Sequence, residues 1–174
     1  LRSDHQLGQT EFAEHVAELE KLPLFSSNKP SLDSDKLFKA NYEHAGDYYS
    51  ECRECLLDEL VRRPSHAEKR PGGTFNFHLG TIGSGGSVIQ DGVKRDLESR
   101  RCNYARCFEM EAVGVNISSR CLVIRGIADY ADSHKNDLWK YKAAGNAAVF
   151  AKELLLKMNP GIPEELSKIC SNRS

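Results

Sequence analysis

Arg106-Cys107-Phe108-Glu109-Met110-Glu111-Ala112-Val113-Gly114 and, a helix length further on, Cys121-Leu122-Val123-Ile124-Arg125-Gly126-Ile127-Ala128-Asp129-Tyr130-Ala131-Asp132-Ser133-His134 decide how this chain is read. Cys121 to Ile124 is a short, continuous apolar run with two β-branched residues, the pattern of a strand buried on both faces. Arg125 and Asp129 follow its carboxyl end, where open α/β sheets place ligand sites. The spacer from Ala112 to Arg120 has the length of a short helix, so the unit predicts strand, helix, parallel strand. In an extended segment Glu109 and Glu111 share one face and Met110 takes the other. The competing reading of the two glutamates is a solvated strand exit.

The chain has 174 residues, the length of about one domain. Its 24 Lys and Arg against 25 Asp and Glu leave a net charge of -1, without the basic face that nucleic acid requires. No apolar run approaches the ~20 residues of a membrane span, and no signal peptide opens the sequence. Six cysteines without a secretory signal point to a reducing compartment and free thiols. These features predict a soluble cytoplasmic α/β domain with neither nucleic acid nor membrane as partner.

Outward from the central stretch, Phe12, Val16, Leu19 and Leu22 follow the rhythm of an amphipathic helix, with Thr10 as N-cap and Pro23 past its end. Residues 25 to 36 read as loop. Residues 39 to 73 hold His44, Cys52, Cys55 and His66. A Cys-x-x-Cys pair with nearby histidines is half of a zinc site. A second close ligand pair is missing, so the reading is structural or incidental thiols and no metal. A redox role lacks its thioredoxin-like context. Thr74 to Leu79 alternates like a strand and runs into Gly80-Thr-Ile-Gly-Ser-Gly-Gly-Ser-Val-Ile-Gln-Asp-Gly92. That segment fits neither the dinucleotide fingerprint nor the P-loop nor the nucleophile elbow. A strand-to-helix turn without a ligand is its plain reading. Residues 93 to 105 predict a charged helix. Leu138 to Met158 predicts a long one burying Ala144, Ala147, Ala148, Ala151 and Leu155, stopped by Asn159-Pro160-Gly161.

Phe-Glu-Met-Glu-Ala at 108–112 followed by Leu-Val-Ile-Arg-Gly-Ile-Ala-Asp-Tyr-Ala-Asp at 122–132 resembles the purine and uridine phosphorylase superfamily. That group includes purine nucleoside phosphorylases and 5′-methylthioadenosine/S-adenosylhomocysteine nucleosidases. The wording is most similar to the nucleoside-phosphorylase-like domains of large multidomain fungal proteins. The glycine-rich segment resembles a third motif of the family, Ile-Ala-Ser-Gly-(Asp/Asn)-Gln-(Phe/Val), departing from it at Gly86-Ser87. The resemblance covers roughly residues 30 to 158. It implies a phosphorylase-type three-layer fold, a central mixed sheet flanked by helices, with the amino-terminal part missing. Residues 1–160 would form this partial domain, with 39–73 as an insertion and 161–174 as a tail.

The chemistry implied is cleavage of the N-ribosidic bond of a purine nucleoside through an oxocarbenium-like state. On the family pattern Asp129 protonates or hydrogen-bonds the leaving base, and Arg125 lies near the nucleophile. Glu111 accepts the ribose hydroxyls, Met110 packs on the sugar, Glu109 is a second acidic position, and Val88 and Ile89 flank the base. The plain alternatives are a turn or helix cap for Asp129, and for Arg125 a pairing with Glu109 or Glu111. No cofactor is implied beyond phosphate as co-substrate, which leaves phosphorolysis and hydrolysis open. The resemblance also allows a homo-oligomer or fused partner domains. The rival reading is an inactive nucleoside-binding or signalling module, or a fragment of a larger multidomain protein. A zinc-stabilised interaction domain is the third.

Overall fold

The computed structural model describes residues 9–47, 51–63, 77–114 and 122–158. Among these residues, four helices, α1 (Gln9–Glu20), α2 (Pro23–Ser26), α3 (Gly92–Arg101) and α4 (Lys140–Met158), accompany two short strands, β1 (Ile82–Ser84) and β2 (Cys107–Glu109). The chain is therefore mixed α/β.

The first apolar cluster is helical. Val16 and Val149 are buried, and the Phe12 and Phe150 rings stack at 6.4 Å. Phe77 adds a tilted ring 5.7 Å from Phe150. Gly145 lets α4 approach closely: a Cβ there would lie 2.3 Å from Leu19 Cδ2 and 3.0 Å from the Phe25 ring. The packing is framed by His15 Nε2 with the buried Glu153 carboxylate at 2.8 Å, and by Lys142 with Glu20 at 2.7 Å. The face that α4 buries is thus Ala143, Gly145, Val149 and Glu153, not the predicted alanine stripe, since Ala144, Ala148 and Leu155 are exposed. The docking of α1 and α2 onto Gly145 sets this phase, and helical periodicity alone does not.

The second cluster is built from a loop. Residues 37–39 and 59–61 pair antiparallel: Lys39 N–H donates to Glu59 O at 2.9 Å and Val61 N–H to Leu37 O at 2.8 Å. Among the described residues of the intervening segment the one regular element is a 3₁₀ turn at Leu57–Glu59. Phe38, Cys52 and Cys55 are its buried centre, with Tyr42, Ala45 and Leu60 packed around them.

The strands form a two-stranded parallel sheet, Ile82 opposite Cys107, Gly83 opposite Phe108 and Ser84 opposite Glu109. A Cβ on Gly83 would come within 2.6 Å of the Phe108 ring, so the glycine lets that side chain lie across the sheet. α3 links the strands as a parallel crossover must. Asp91 caps it, its Oδ1 accepting from Val93 N–H at 2.8 Å and Lys94 N–H at 2.9 Å. Asn103 and Tyr104, both at positive φ, then turn the chain back toward β2.

Three expectations require correction. A phosphorylase-type three-layer fold around a central mixed sheet is not found among the described residues, whose sheet has two strands. Phe77 to Leu79 form no strand; the extended segment begins at Ile82, where β2 supplies its ladder (Thr74 to Asn76 lie outside the described residues). The run Leu122 to Ile124 is not a buried strand either: it makes no ladder, and Leu122 is 72% exposed. It is positioned from beyond its carboxyl end, where Gly126 sits so close to α4 that a Cβ would lie 1.9 Å from the Ala143 carbonyl oxygen. Cys121, most of the 112–120 spacer and the 161–174 tail lie outside the described residues. No helix among the described residues is long and apolar enough to cross a membrane.

Candidate functional site

The predicted acidic site residues fall on two turns, which Arg125 connects. β2 ends at Glu109, and the chain bends at once into a 3₁₀ turn, Ala112–Gly114. Glu109 causes the bend. Its carboxylate folds back so that Oε2 accepts Glu111 N–H at 2.8 Å and Ala112 N–H at 2.7 Å. Burial alone would raise this carboxyl, but the Ser84 hydroxyl, those two amides and the Arg125 charge together hold it below its ordinary range. Period-two alternation therefore stops one residue before Met110. Glu109 is buried while Glu111 and Met110 are exposed, so the two glutamates do not share one face as predicted.

Arg125 bridges the two turns. Its Nη1 lies 3.0 Å from Glu111 Oε2, which also accepts Met110 N–H at 3.2 Å. Four residues on, Asp129 Oδ1 accepts Ala131 N–H at 2.9 Å, and Oδ2 pairs with Lys135 at 2.7 Å. Both contacts use the carboxylate as an acceptor, holding a turn in which Ala131 adopts φ 52°. Val88 is exposed and Ile89 half-buried in the irregular link between β1 and α3.

The turn from Asp129 to Lys135 gathers more of the fold than any other stretch, and most of its partners were not among the predicted residues. Tyr130 O–H donates to Asp35 Oδ1 at 2.5 Å, and Arg63 both donates to the Tyr130 hydroxyl and reaches Asp35 Oδ1 at 3.1 Å. The guanidinium also lies over the Tyr130 ring, 5.2 Å from its centre. Burial, reinforced by the Asp35 carboxylate, pushes the Tyr130 phenol up to about 12. Arg95 of α3 donates to Tyr130 O at 2.9 Å and lies 3.8 Å from Asp132. Ser133 Oγ accepts His44 N–H at 3.0 Å.

His134 carries the turn into the loop cluster. It is buried, its ring stacked 4.1 Å from Phe38 and 5.5 Å from Tyr42, with His44 edge-on at 5.5 Å. Burial lowers its pKa despite the nearby Asp132 carboxylate. One ligand atom each from His44, Cys52 and Cys55 lies within 4.8 Å of the others. Burial, then the adjoining Cys55, pushes the Cys52 thiol up to about 11. Cys52, Cys55, Cys102 and Cys107 are all free thiols; Cys170 and His66 lie outside the described residues. The Cys-x-x-Cys spacing marked the thiols in the sequence, but only tertiary contact brings the 129–135 turn, with His134, against Phe38 and His44 of the same cluster.

Two concavities lie elsewhere. Val16, Leu19, Phe25, Lys142 and Asn146 line one, and Glu14, His15, Glu153, Leu156 and Lys157 the other. Neither includes a predicted site residue.

Among known proteins, no family profile and no solved structure matches the chain. A nucleotide-binding leucine-rich repeat (NLR)-like protein of Hyaloscypha variabilis is 39% identical to it over 103 residues, 59% of this chain and 10% of that protein. The match therefore spans about a tenth of the relative's length. This finding overturns the resemblance to the purine and uridine phosphorylases, and with it the reading as a purine nucleoside phosphorylase or nucleosidase. The motifs that carried that resemblance are short turn-forming segments. Here their carboxylates serve the backbone and neighbouring cations.

Proposed function

We infer that the chain is a non-catalytic, ligand-responsive signalling segment of a large NLR-like protein, with a nucleotide or nucleoside as the ligand class. The observation that carries this reading is the 39% identity to the Hyaloscypha protein, named for nucleotide binding and for leucine-rich repeats. The geometry supports binding without turnover. Asp129, the carboxylate given the acid role by motif, and Glu109, the second acidic position, are both engaged in holding turns. The exposed Glu111–Arg125 pair, with Met110 and Val88 exposed as well, remains available to a ligand's hydroxyls, phosphate and base. An arginine suits phosphate, and an exposed ion pair is cheap to open because such pairs contribute only about 0–1 kcal/mol.

Calorimetric titration of the chain with a panel of nucleosides and nucleoside mono-, di- and triphosphates tests this, with chromatographic assay for free base on prolonged incubation. The expected result is saturable binding by at least one phosphorylated member, weakened about tenfold by Arg125→Ala, with no base released. Heat changes indistinguishable from dilution across the whole panel would refute it, and so would steady base release.

A further inference from the structure

The loop cluster contains more unsatisfied donor chemistry than packing explains. His44 Nε2, His134 Nδ1 and His134 Nε2 are all buried without a hydrogen-bond partner. They belong to two rings whose centres are 5.5 Å apart, beside two buried free thiols. Buried polar atoms are nearly always partnered, and an orphan in a native fold calls for an explanation such as a bound ion. Of the three ring nitrogens, the two Nε2 atoms, with His44 in ligand reach of the Cys-x-x-Cys pair, have a common explanation.

We propose that His44, Cys52 and Cys55 bind a zinc ion, with His134 Nε2 completing a tetrahedral Cys₂His₂ set. Cys52 and Cys55 have the two-residue spacing of a zinc knuckle. Zn–S near 2.3 Å and Zn–N near 2.0–2.1 Å place tetrahedral ligand atoms roughly 3.3–3.8 Å apart. The first three donors, within 4.8 Å of one another, need a contraction of about 1 Å to close on the metal. Two imidazoles on one tetrahedral zinc have ring centres about 5 Å apart, close to the 5.5 Å between His44 and His134. Asp132 Oδ1, 3.6 Å from His134 Nδ1, is placed as the outer carboxylate that orients a ligating imidazole and leaves Nε2 for the metal. Two sulfurs and two nitrogens converging on one tetrahedral ion suit zinc rather than hard cations. Each thiol gives its proton to solvent as it becomes a ligand.

The fold supplies a reason for the metal. Between the pairing at 37–39 and that at 59–61 the described residues of the loop form no regular secondary structure except one 3₁₀ turn, and their centre is largely the two thiols beside Phe38. Structureless loops longer than about 12–15 residues are uncommon in compact domains, and small units with little core are typically stapled by disulfides or a metal. Zinc would close this loop on itself and, through His134, tie it to the 129–135 turn.

The test uses the full chain purified under reducing conditions. Elemental analysis is expected to find one zinc per chain. Cobalt substitution should give a thiolate charge-transfer band together with intense tetrahedral d–d bands. Zinc should shield Cys52 and Cys55, but not Cys102, from alkylation, as mapped by peptide mass spectrometry. Cys52→Ser and His44→Ala should each weaken zinc retention by more than about 100-fold, beyond the 10–100-fold expected of an outer-shell change. Cys102→Ser should leave it unchanged, and His134→Ala should perturb the cobalt d–d bands. Since a ligand variant could unfold the loop, the cobalt spectrum and alkylation map of the unaltered chain decide by themselves. A metal-free chain with no cobalt–thiolate band would overturn the site, as would a Cys52–Cys55 disulfide persisting under those conditions. Unchanged cobalt bands in His134→Ala would overturn its role as fourth ligand.

Discussion

Tyr130 shows how one side chain serves several masters. Its hydroxyl donates to Asp35 while receiving a bond from Arg63, and its carbonyl accepts from Arg95. Burial and the Asp35 charge favour the neutral phenol in the fold, raising it to about 12. An unfolded tyrosine titrates near 10. Below about pH 10 both states keep the proton and the contribution of this group is complete. Between about pH 10 and 12 the unfolded chain loses the proton first, so stability falls as pH rises. Urea unfolding from about pH 9 to about pH 11 should therefore show the folding equilibrium falling by up to about tenfold per unit in the upper part of that range. Tyr130→Phe should flatten this component while lowering stability at neutral pH by about 1 kcal/mol. An identical alkaline slope in the variant would mean that other groups carry it. Asp129 is similar in kind: the residue that resemblance cast as an acid is here a turn-former with Lys135 and the Ala131 amide.

At the scale of elements, glycine decides how closely the parts approach. Gly83 admits the Phe108 ring, Gly145 admits Leu19 and Phe25, and Gly126 lies against the backbone of α4. Only the last meets backbone, which cannot swing aside as a side-chain tip can. Gly126→Ala should therefore destabilise the chain by about 1–3 kcal/mol or more, because a methyl has no room beside the Ala143 carbonyl. Gly86→Ala, where nothing lies within 4 Å, should change stability by less than about 0.5 kcal/mol. Chemical denaturation of the pair gives the comparison directly. Equal midpoints would show that the segment around Gly126 is not held against α4.

Over the whole molecule, burial is modest. The buried hydrophobic residues among those described are Val16, Ala143 and Val149 of the helical cluster, Phe38, Cys52 and Cys55 of the loop cluster, and Ala105 beside the sheet. Leu79 and Leu122 are 71% and 72% exposed, and Leu56 and Leu57 add two adjacent leucines at 63% and 65%. Exposed apolar surface of this kind marks contact sites. A short two-stranded sheet also leaves ladder groups open at its edges. The chain by itself should consequently self-associate, its weight-average mass in sedimentation rising with concentration. Leu79→Glu together with Leu122→Glu should reduce that rise. A concentration-independent monomer would show that these leucines are simply tolerated in water.

What the amino-acid order settled alone was local. Apolar periodicity and capping signals placed α1, α3 and α4 to within a few residues, because a helix closes its own hydrogen bonds. The Cys-x-x-Cys spacing singled out the loop thiols. Strands were misplaced for the complementary reason. An apolar run such as Leu122 to Ile124 becomes a strand only if a partner edge lies beside it, and among the described residues the ladder joins Ile82–Ser84 to Cys107–Glu109. The buried face of α4 was likewise set by what docks on Gly145. Glu109 and Glu111 parted company because a buried carboxylate captured the two amides ahead of it, ending the alternation. Motif order alone also suggested a nucleoside-cleaving enzyme, which similarity over 103 residues to an NLR-like protein corrected. The packing of His134 against Phe38 and His44 was decided by tertiary structure. The Ser133–His44 bond and the Phe38–His134 stack join segments some ninety residues apart. No local pattern encodes a contact whose free energy comes from burying one segment against another.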